Sequence, residues 1–261
     1  MNVQHLKNRA KIEAFLRQSP ELHIYSLGDL DDFFWPYTTW YGWEDGGELT
    51  EVAMIYMSRT LPTLVGISQK PAAMQKLLGE IIPRLPDLFY AHLSPGIEHV
   101  FSRTHVLESH GLHYKMALRE PASVGDADCS GAVQLTVRDS ADLVRLYQES
   151  YPGNWFDLRA LETGQYFGMR QDGRLVSVAG VHVYSERYAV AALGNIVTHP
   201  AYRHRGYARQ VTACLCRSVL QKVEHVGLNV KANNEAAVAC YTGLGFEIVA
   251  PYTEFTMTKR V

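Results

Sequence analysis

Residues 188–246 read YAVAALGNIVTHPAYRHRGYARQVTACLCRSVLQKVEHVGLNVKANNEAAVACYTGLGF. Residues 188–198 are apolar without clean alternation, which suits a strand buried on both faces. His199-Pro200 ends that strand, because proline cannot donate to a ladder and pushes its predecessor toward extended geometry. A basic loop comes next, Arg203-His204-Arg205-Gly206-Tyr207-Ala208-Arg209. Val211, Cys214, Leu215, Ser218 and Val219 then recur at helical spacing, so the loop opens directly into a helix. A helix N-terminus presents unpaired N–H groups and a partial positive charge. The small residues Gly206 and Ala208 let a phosphate approach the backbone there. Arg203, Arg205 and Arg209 add charge-assisted donors around the same point. Taken alone, this loop also fits a solvated basic turn capping an ordinary helix.

Further along, residues 226–231 (VGLNVK) read as another buried strand. Asn233-Asn234 supply an N-cap for a helix through Ala236, Ala237 and Tyr241, and Gly243 and Gly245 punctuate its end. Arg203-x-x-Gly206-x-Ala208 followed by Asn234-x-x-Ala237-x-x-x-Tyr241-x-x-Leu244-Gly245-Phe246 resembles the GCN5-related N-acyltransferase (GNAT) superfamily. The wording THPAYRHRGYA and LGF is most similar to its FR47-like and glycine N-acyltransferase-like branch. The resemblance covers about 132–261. It implies an α/β (α+β) fold, a mixed, mostly antiparallel sheet flanked by helices. A second, smaller mixed α/β domain would precede it.

The resemblance also implies a chemistry, with acetyl-CoA (coenzyme A) as co-substrate and no metal. The pyrophosphate would sit on the loop amides of His204, Arg205, Gly206, Tyr207, Ala208 and Arg209, with Arg203 beside them. The pantetheine arm would pair with the backbone of Ile196, Val197 and Thr198. A strand amide there would polarise the thioester carbonyl, an effect of about 3 kcal/mol per donor. Asn234 carries over as a cofactor contact, and equally reads as an N-cap alone. Tyr241 carries over as the acid that protonates the departing thiolate, and equally reads as a core aromatic. An unperturbed phenol, with a pKa of about 10, keeps its proton at neutral pH.

A general base is harder to find. Relatives that carry a Glu in the strand have it at the position of Asn229, or near the start of the preceding strand at Ala192; neither residue here accepts a proton. A water chain, a base from elsewhere, or lost activity remain. Glu162, Glu186 and His182 are the candidates from elsewhere; Glu186 lies in a turn, and His182 alternates with Val181 and Val183.

The chain has 261 residues, 47% hydrophobic and 20% charged, with a formal net charge of −2. That length exceeds the roughly 150 residues of one such domain, so two domains are expected. Residues 119–131, small, polar and Gly-bearing, would link a domain at 1–118 to one at 132–261. The charge balance excludes broad attraction to nucleic acid or membrane, since the basic cluster is local. The first residues lack a signal-peptide core, and Cys129, Cys214, Cys216 and Cys240 show no metal spacing. They read as reduced thiols of a cytoplasmic protein.

In 132–261, AVQLTVRD reads as a strand and SADLVRLYQESY as a helix with Leu143, Val144, Leu146 and Tyr147 inward. DLRALETG reads as a short helix, and residues 165–198 as three strands joined by an Asp-Gly turn and a Ser-Glu-Arg turn. Residues 1–118 carry no matching loop. A helix holding Leu6, Ile12, Phe15 and Leu16 is expected, then a Trp-rich strand at 34–43 and strands at 51–57 and 61–67. A helix at 71–85, a strand at 87–93, a short helix and a strand at 113–119 complete that half. Such an order fits a degenerate copy of the same fold. Trp35, Tyr37, Trp40, Tyr41 and Trp43 form an aromatic ribbon that buries a sheet face or selects an apolar acceptor. Tyr151, Trp155 and Phe156 either border the acceptor or anchor their loop.

The main expectation is transfer of an acetyl or short acyl group to a primary amine of a small molecule. A non-catalytic acyl-CoA-binding or regulatory protein is the alternative. Tandem relatives that take an aminoacyl group from transfer RNA are disfavoured by the absence of a broad basic composition.

Overall fold

The computed structural model describes residues 2–57, 61–154 and 156–260. They divide into two compact units. One comprises 1–115, 230–233 and 248–261, the other 116–229 and 234–247. The two are nearly equal in extent, because the end of the chain counts with the first unit.

The first half of the chain runs β1 (Asn2–Leu6), α1 (Arg9–Leu16), α2 (Ile24–Gly28), β2 (Thr38–Asp45), β3 (Glu48–Tyr56), β4 (Thr63–Gly66), α3 (Pro71–Ile81), β5 (Leu88–Leu93) and β6 (His105–Leu118). The second runs α4 (Ala122–Gly125), β7 (Ala132–Gln134), α5 (Ser140–Ser150), β8 (Phe167–Gln171), β9 (Arg174–Ser185), β10 (Val190–Thr198), α6 (Tyr207–Val219), β11 (His225–Lys231), α7 (Glu235–Thr242) and β12 (Phe246–Lys259).

Each half repeats one pairing scheme. Its first four strands pair in series, antiparallel, and its fourth and fifth run parallel with a helix between them. The result is the mixed, mostly antiparallel sheet flanked by helices that the sequence predicts.

In the first unit, α3 buries Met74, Leu77, Leu78 and Ile81 against Leu64, Phe89, Ala91 and Leu93. Phe255 and Met257 of β12 join that core, since β12 pairs antiparallel with β5 from Thr253↔Leu93 to Thr258↔Leu88. Two expectations need correction here. Leu6 lies in strand β1, because Asn8 caps the helix only from Arg9 onward, its side chain accepting from Lys11 N. The aromatic ribbon does not share one face. Trp35 and Tyr37 fall in a 3-10 turn, Trp40 is fully buried, and Tyr41 and Trp43, half-buried, pack against the α3 core. The helix expected over 71–85 tightens into a 3-10 turn at Ile82–Arg84, around Pro83.

In the second unit, Asp172 (φ 49°) and Gly173 (φ 78°) turn β8 into β9, as a two-residue hairpin with both φ positive requires. α5 buries Leu143, Leu146 and Tyr147. The strand expected over AVQLTVRD shortens to Ala132–Gln134, since Thr136 and Asp139 form a capping box on a 3-10 turn. DLRALETG is likewise a 3-10 turn, Leu158–Thr163.

α6 buries Val211, Thr212, Ala213, Cys214, Leu215, Cys216 and Val219. Its Arg217 donates to the carbonyls of Val124 (3.1 Å), Ala127 (2.5 Å) and Gly125, fastening α4 beneath it. The expectation of four reduced thiols is overturned for one pair. Cys129 and Cys214 are joined as a disulfide with Cα atoms 5.7 Å apart, while Cys216 and Cys240 are free. Among the described residues no helix is long and apolar enough to cross a membrane, and no group of three or more His, Cys, Asp or Glu is placed to hold a metal.

Candidate active site

β10 is paired on both sides only at its start. Val190–Leu193 lie parallel to His225–Leu228 of β11, and there the parallel register ends. The opposite side keeps its antiparallel pairing to β9 as far as Val197↔Val178 and Thr198↔Ser177. Between Gly194 and Val197 one extra residue is inserted, a bulge at which Asn195 takes φ 55°. A bulge bends its strand and re-aims the residues beyond it. Ile196, Val197 and Thr198 therefore continue past the end of the parallel ladder.

A buried polar network holds the bulge. Tyr147 Oη donates to Asn195 O at 2.9 Å, Asn195 Nδ2 donates to Tyr166 Oη at 3.0 Å, and Tyr166 Oη donates to Val181 O at 3.1 Å. All three side chains are buried, so every lost hydrogen bond would leave an orphaned group. The missing Cβ of Gly180 makes room for the Tyr166 ring, which a Cβ there would meet at 2.1 Å. Helical spacing places Tyr147 inward, but it assigns no role to Tyr147, to Tyr166 or to Asn195. Asn is among the few residues that tolerate positive φ, and this tolerance is the one signal of the bulge that the sequence carries.

Beyond Thr198, His199 caps a short turn with its side chain accepting from Ala201 N. Arg203 Nε donates to Thr198 O at 3.3 Å, tying the loop to the strand end. His204 (φ 62°) and Gly206 (φ 79°) are both left-handed, and Gly206 is the N-cap of α6 without any side-chain cap. No described group accepts a hydrogen bond from the N–H groups of His204, Arg205, Gly206, Tyr207, Ala208 or Arg209. Nothing lies within 4 Å of a Cβ built at Gly206. The first turn of a thirteen-residue helix is thus open beside exposed Arg203 and Arg205. The Arg205 guanidinium rests over Tyr202 at 5.3 Å, and Arg209 Nη1 donates to Gly243 O at 2.6 Å.

α7 begins at Asn234, whose Oδ1 accepts from Ala237 N at 3.3 Å. Asn234 therefore acts as an N-cap, and its side chain is exposed. Tyr241 is buried on α7, its ring 6.1 Å from Phe246. Burial is the main cause that raises its pKa; Cys240 and Tyr151 add to the effect, so Tyr241 stays protonated. The loop amides, the β10 end and Tyr241 all belong to one unit.

The base candidates separate clearly. Ala192 is fully buried, and Asn229 is half-buried on β11. Glu186 occupies the β9–β10 turn, accepting from Tyr184 Oη at 3.0 Å, at the end of β10 opposite the loop. Glu162 is exposed on its 3-10 turn. His182 lies against the bulge: a Cβ at Gly194 would stand 1.8 Å from its Cδ2. Phe156 packs between Tyr147 (4.9 Å) and Tyr166 (5.8 Å), while Tyr151 is exposed. Trp155 lies outside the described residues.

Residues 134–246 match the model of the acetyltransferase (GNAT) family. No curated protein matches the chain. Among solved structures, a Drosophila protein is similar at 12% identity, covering 98% of each chain with a TM-score of 0.69. A tandem GNAT protein of the clavulanic acid biosynthesis pathway is similar at 15% identity, covering 99% of this chain and 98% of its own, with a TM-score of 0.60. A protein from Novosphingobium aromaticivorans assigned to the GNAT family reaches 22% identity over 80% of this chain and 89% of its own, with a TM-score of 0.57. These likenesses show the fold, over nearly the whole chain.

Proposed function

We propose that the second unit transfers an acetyl or other short acyl group from acyl-CoA to a primary amine of a small molecule. The observation that carries this reading is the junction of two features at one end of β10. The strand leaves its parallel neighbour there, and six consecutive N–H groups of the adjoining loop have no described acceptor. A diphosphate supplies acceptors for such a loop, aided by the helix dipole. The freed edge at Ile196, Val197 and Thr198 offers ladder positions to the amide-bearing pantetheine arm. An amide there would also polarise the thioester carbonyl. Tyr241, kept protonated by burial, would donate its phenolic proton to the departing sulfur. Asn234, as an exposed N-cap, would keep α7 in register and add a contact to the cofactor.

We read the first unit as a degenerate copy. It repeats the strand scheme, yet β4 is paired with β5 along its whole length, Thr63–Gly66 with Tyr90–Leu93. Only four residues join it to α3, whose first position is Pro71 and has no N–H to offer. Among the described residues neither an open edge nor an amide cradle is present there. The non-catalytic acyl-CoA-binding alternative draws on Ala192 and Asn229, which leave both familiar base positions without a carboxylate.

Calorimetric titration with acetyl-CoA, and then with coenzyme A, tests the reading. Micromolar binding is expected, and Gly206→Glu should abolish it by setting a carboxylate against phosphate. Binding unchanged in that variant refutes the loop assignment. Thiol release with a panel of amines separates enzyme from binding protein.

A further inference from the structure

Acyl transfer to an amine needs a group that takes the nitrogen's proton, and neither Ala192 nor Asn229 can do so. The side chain that the fold brings to the right place belongs to a neighbouring strand. β9 has an irregularity of its own here: Ala192 pairs with Val183 and Leu193 with Val181, so His182 is the extra residue of a bulge opposite Ala192-Leu193. His182 lies across Gly194, and only the absence of a Cβ there makes the space. A Cβ would stand 1.8 Å from Cδ2 and 2.2 Å from Nε2. The imidazole thus lies against the main chain one residue before Asn195, where β10 turns away from its parallel ladder. It is also exposed, in contrast to the buried Val181 and Val183 that flank it.

Its surroundings suit proton acceptance. The charged groups on the elements packed around it pair with one another: Asp142 with Arg145 and Arg170, Asp139 with Arg170, and Glu149 with Arg174. The phenols there are Tyr147 on α5, Tyr166 before β8 and Tyr184 on β9, and burial raises all three. They are neutral at pH 7 and do not compete for a proton. Burial lowers the pKa of His182 to about 4. At neutral pH the imidazole is uncharged, with one ring nitrogen unprotonated.

We propose that His182 is the general base of the second unit, which rests on the acyl-transfer reading above. The nitrogen–carbon bond forms as the amine lone pair attacks the acyl carbon, and the carbon–sulfur bond breaks. Tyr241 gives its proton to the sulfur. The nitrogen, made far more acidic once bonded to the acyl carbon, gives its proton to His182. Water then relieves the imidazolium and re-protonates Tyr241, so no proton is gained or lost overall.

His182→Gln keeps the size and polarity of the side chain but cannot titrate. It should lower kcat for acetyl-CoA and an accepted amine by roughly 10²-fold or more, with KM for acetyl-CoA unchanged. The acidic limb of the kcat/KM profile should vanish with it, and added imidazole should restore part of the rate of His182→Ala. A His182→Gln enzyme with wild-type rate and an intact acidic limb overturns the assignment while leaving the acyl-transfer reading in place. Failure of the wild type to bind acetyl-CoA defeats that reading itself. An arm without any acceptor uses the imidazole Cε1–H resonance that His182→Gln removes. It should shift when acetyl-CoA is added and shift less with coenzyme A. A resonance that ignores the acetyl group refutes His182 as base even if no amine has been found.

Discussion

Tyr241 shows how one side chain answers two requirements. Packed beside Phe246 it contributes to the core, and the same burial keeps its hydroxyl protonated well above neutral pH. A phenol held this way always carries its proton but is a weaker acid than a free phenol, so the negative charge developing on the departing sulfur has to draw the proton off. Tyr241→Phe keeps the ring and removes only the proton, so it should lower turnover by roughly 10²-fold while acetyl-CoA affinity stays within about twofold. Steady-state kinetics paired with calorimetry reads both, and unimpaired turnover would return Tyr241 to a purely structural role. The two glycines of the site work differently. Gly206 is needed for its positive φ, since its Cβ position is empty, and Gly194 is needed for the space His182 fills.

At the scale of elements, β10 carries most of the argument. Its composition, its end at His199-Pro200 and the onset of α6 after Gly206 are local properties, written in hydrophobic pattern and proline chemistry, and they are legible residue by residue. The bulge is not. It depends on Tyr147 reaching Asn195, 48 residues away, and no local pattern encodes that meeting. The same limit hides the Cys129–Cys214 bond, whose partners are 85 residues apart, and leaves the side on which His182 faces undecided until the register is known. Trp-rich β2 starts later than expected for a different reason. Trp35-Pro36-Tyr37 has the aromatic content of a strand, but Pro36 favours the 3-10 turn observed.

The bulge makes a prediction of its own. Tyr147→Phe removes the donor to Asn195 O and leaves a buried carbonyl unsatisfied, at a cost of about 1–3 kcal/mol. If the network serves to aim Ile196–Thr198, kcat/KM for acetyl-CoA should fall together with the melting temperature. A lowered melting temperature with unchanged acetyl-CoA kinetics would assign the network to stability alone.

For the molecule as a whole, the pH dependence of the first unit balances groups of opposite sign. Burial raises Asp29 and Glu51 to about 7, so that they favour the folded state as pH falls, while it lowers His23 and His92. Burial, and secondarily the Lys115 ammonium, holds the His23 pKa down to about 3. An unfolded histidine titrates near 6.5, so below that pH the unfolded chain takes up a proton that the folded chain refuses. The stability from this group is complete above 6.5 and is lost as pH falls toward about 3, at about 1.4 kcal/mol per unit of pH. His92, lowered to about 4 mainly by burial, adds a loss of the same sign. On going from pH 7.5 to pH 5 the wild type should change by about 2 kcal/mol more unfavourably than His23→Gln, as thermal melts of both proteins at both pH values read. An equal change with pH in wild type and variant would show that His23 is not desolvated as described.

The pairing of β12 with β5 also fixes an order in time. Phe255 and Met257 complete a core whose other members lie between Ala53 and Phe101, so a ribosome makes nearly all of the first unit long before its last strand exists. Leu88–Leu93 must wait while about 160 further residues are added, roughly 10–30 s at ordinary rates of synthesis. Throughout that interval one edge of β5 is an unpaired template for any passing strand. The chain's exposure to misassembly is therefore greatest while it is being made, and slowing its translation should lower the yield of soluble protein.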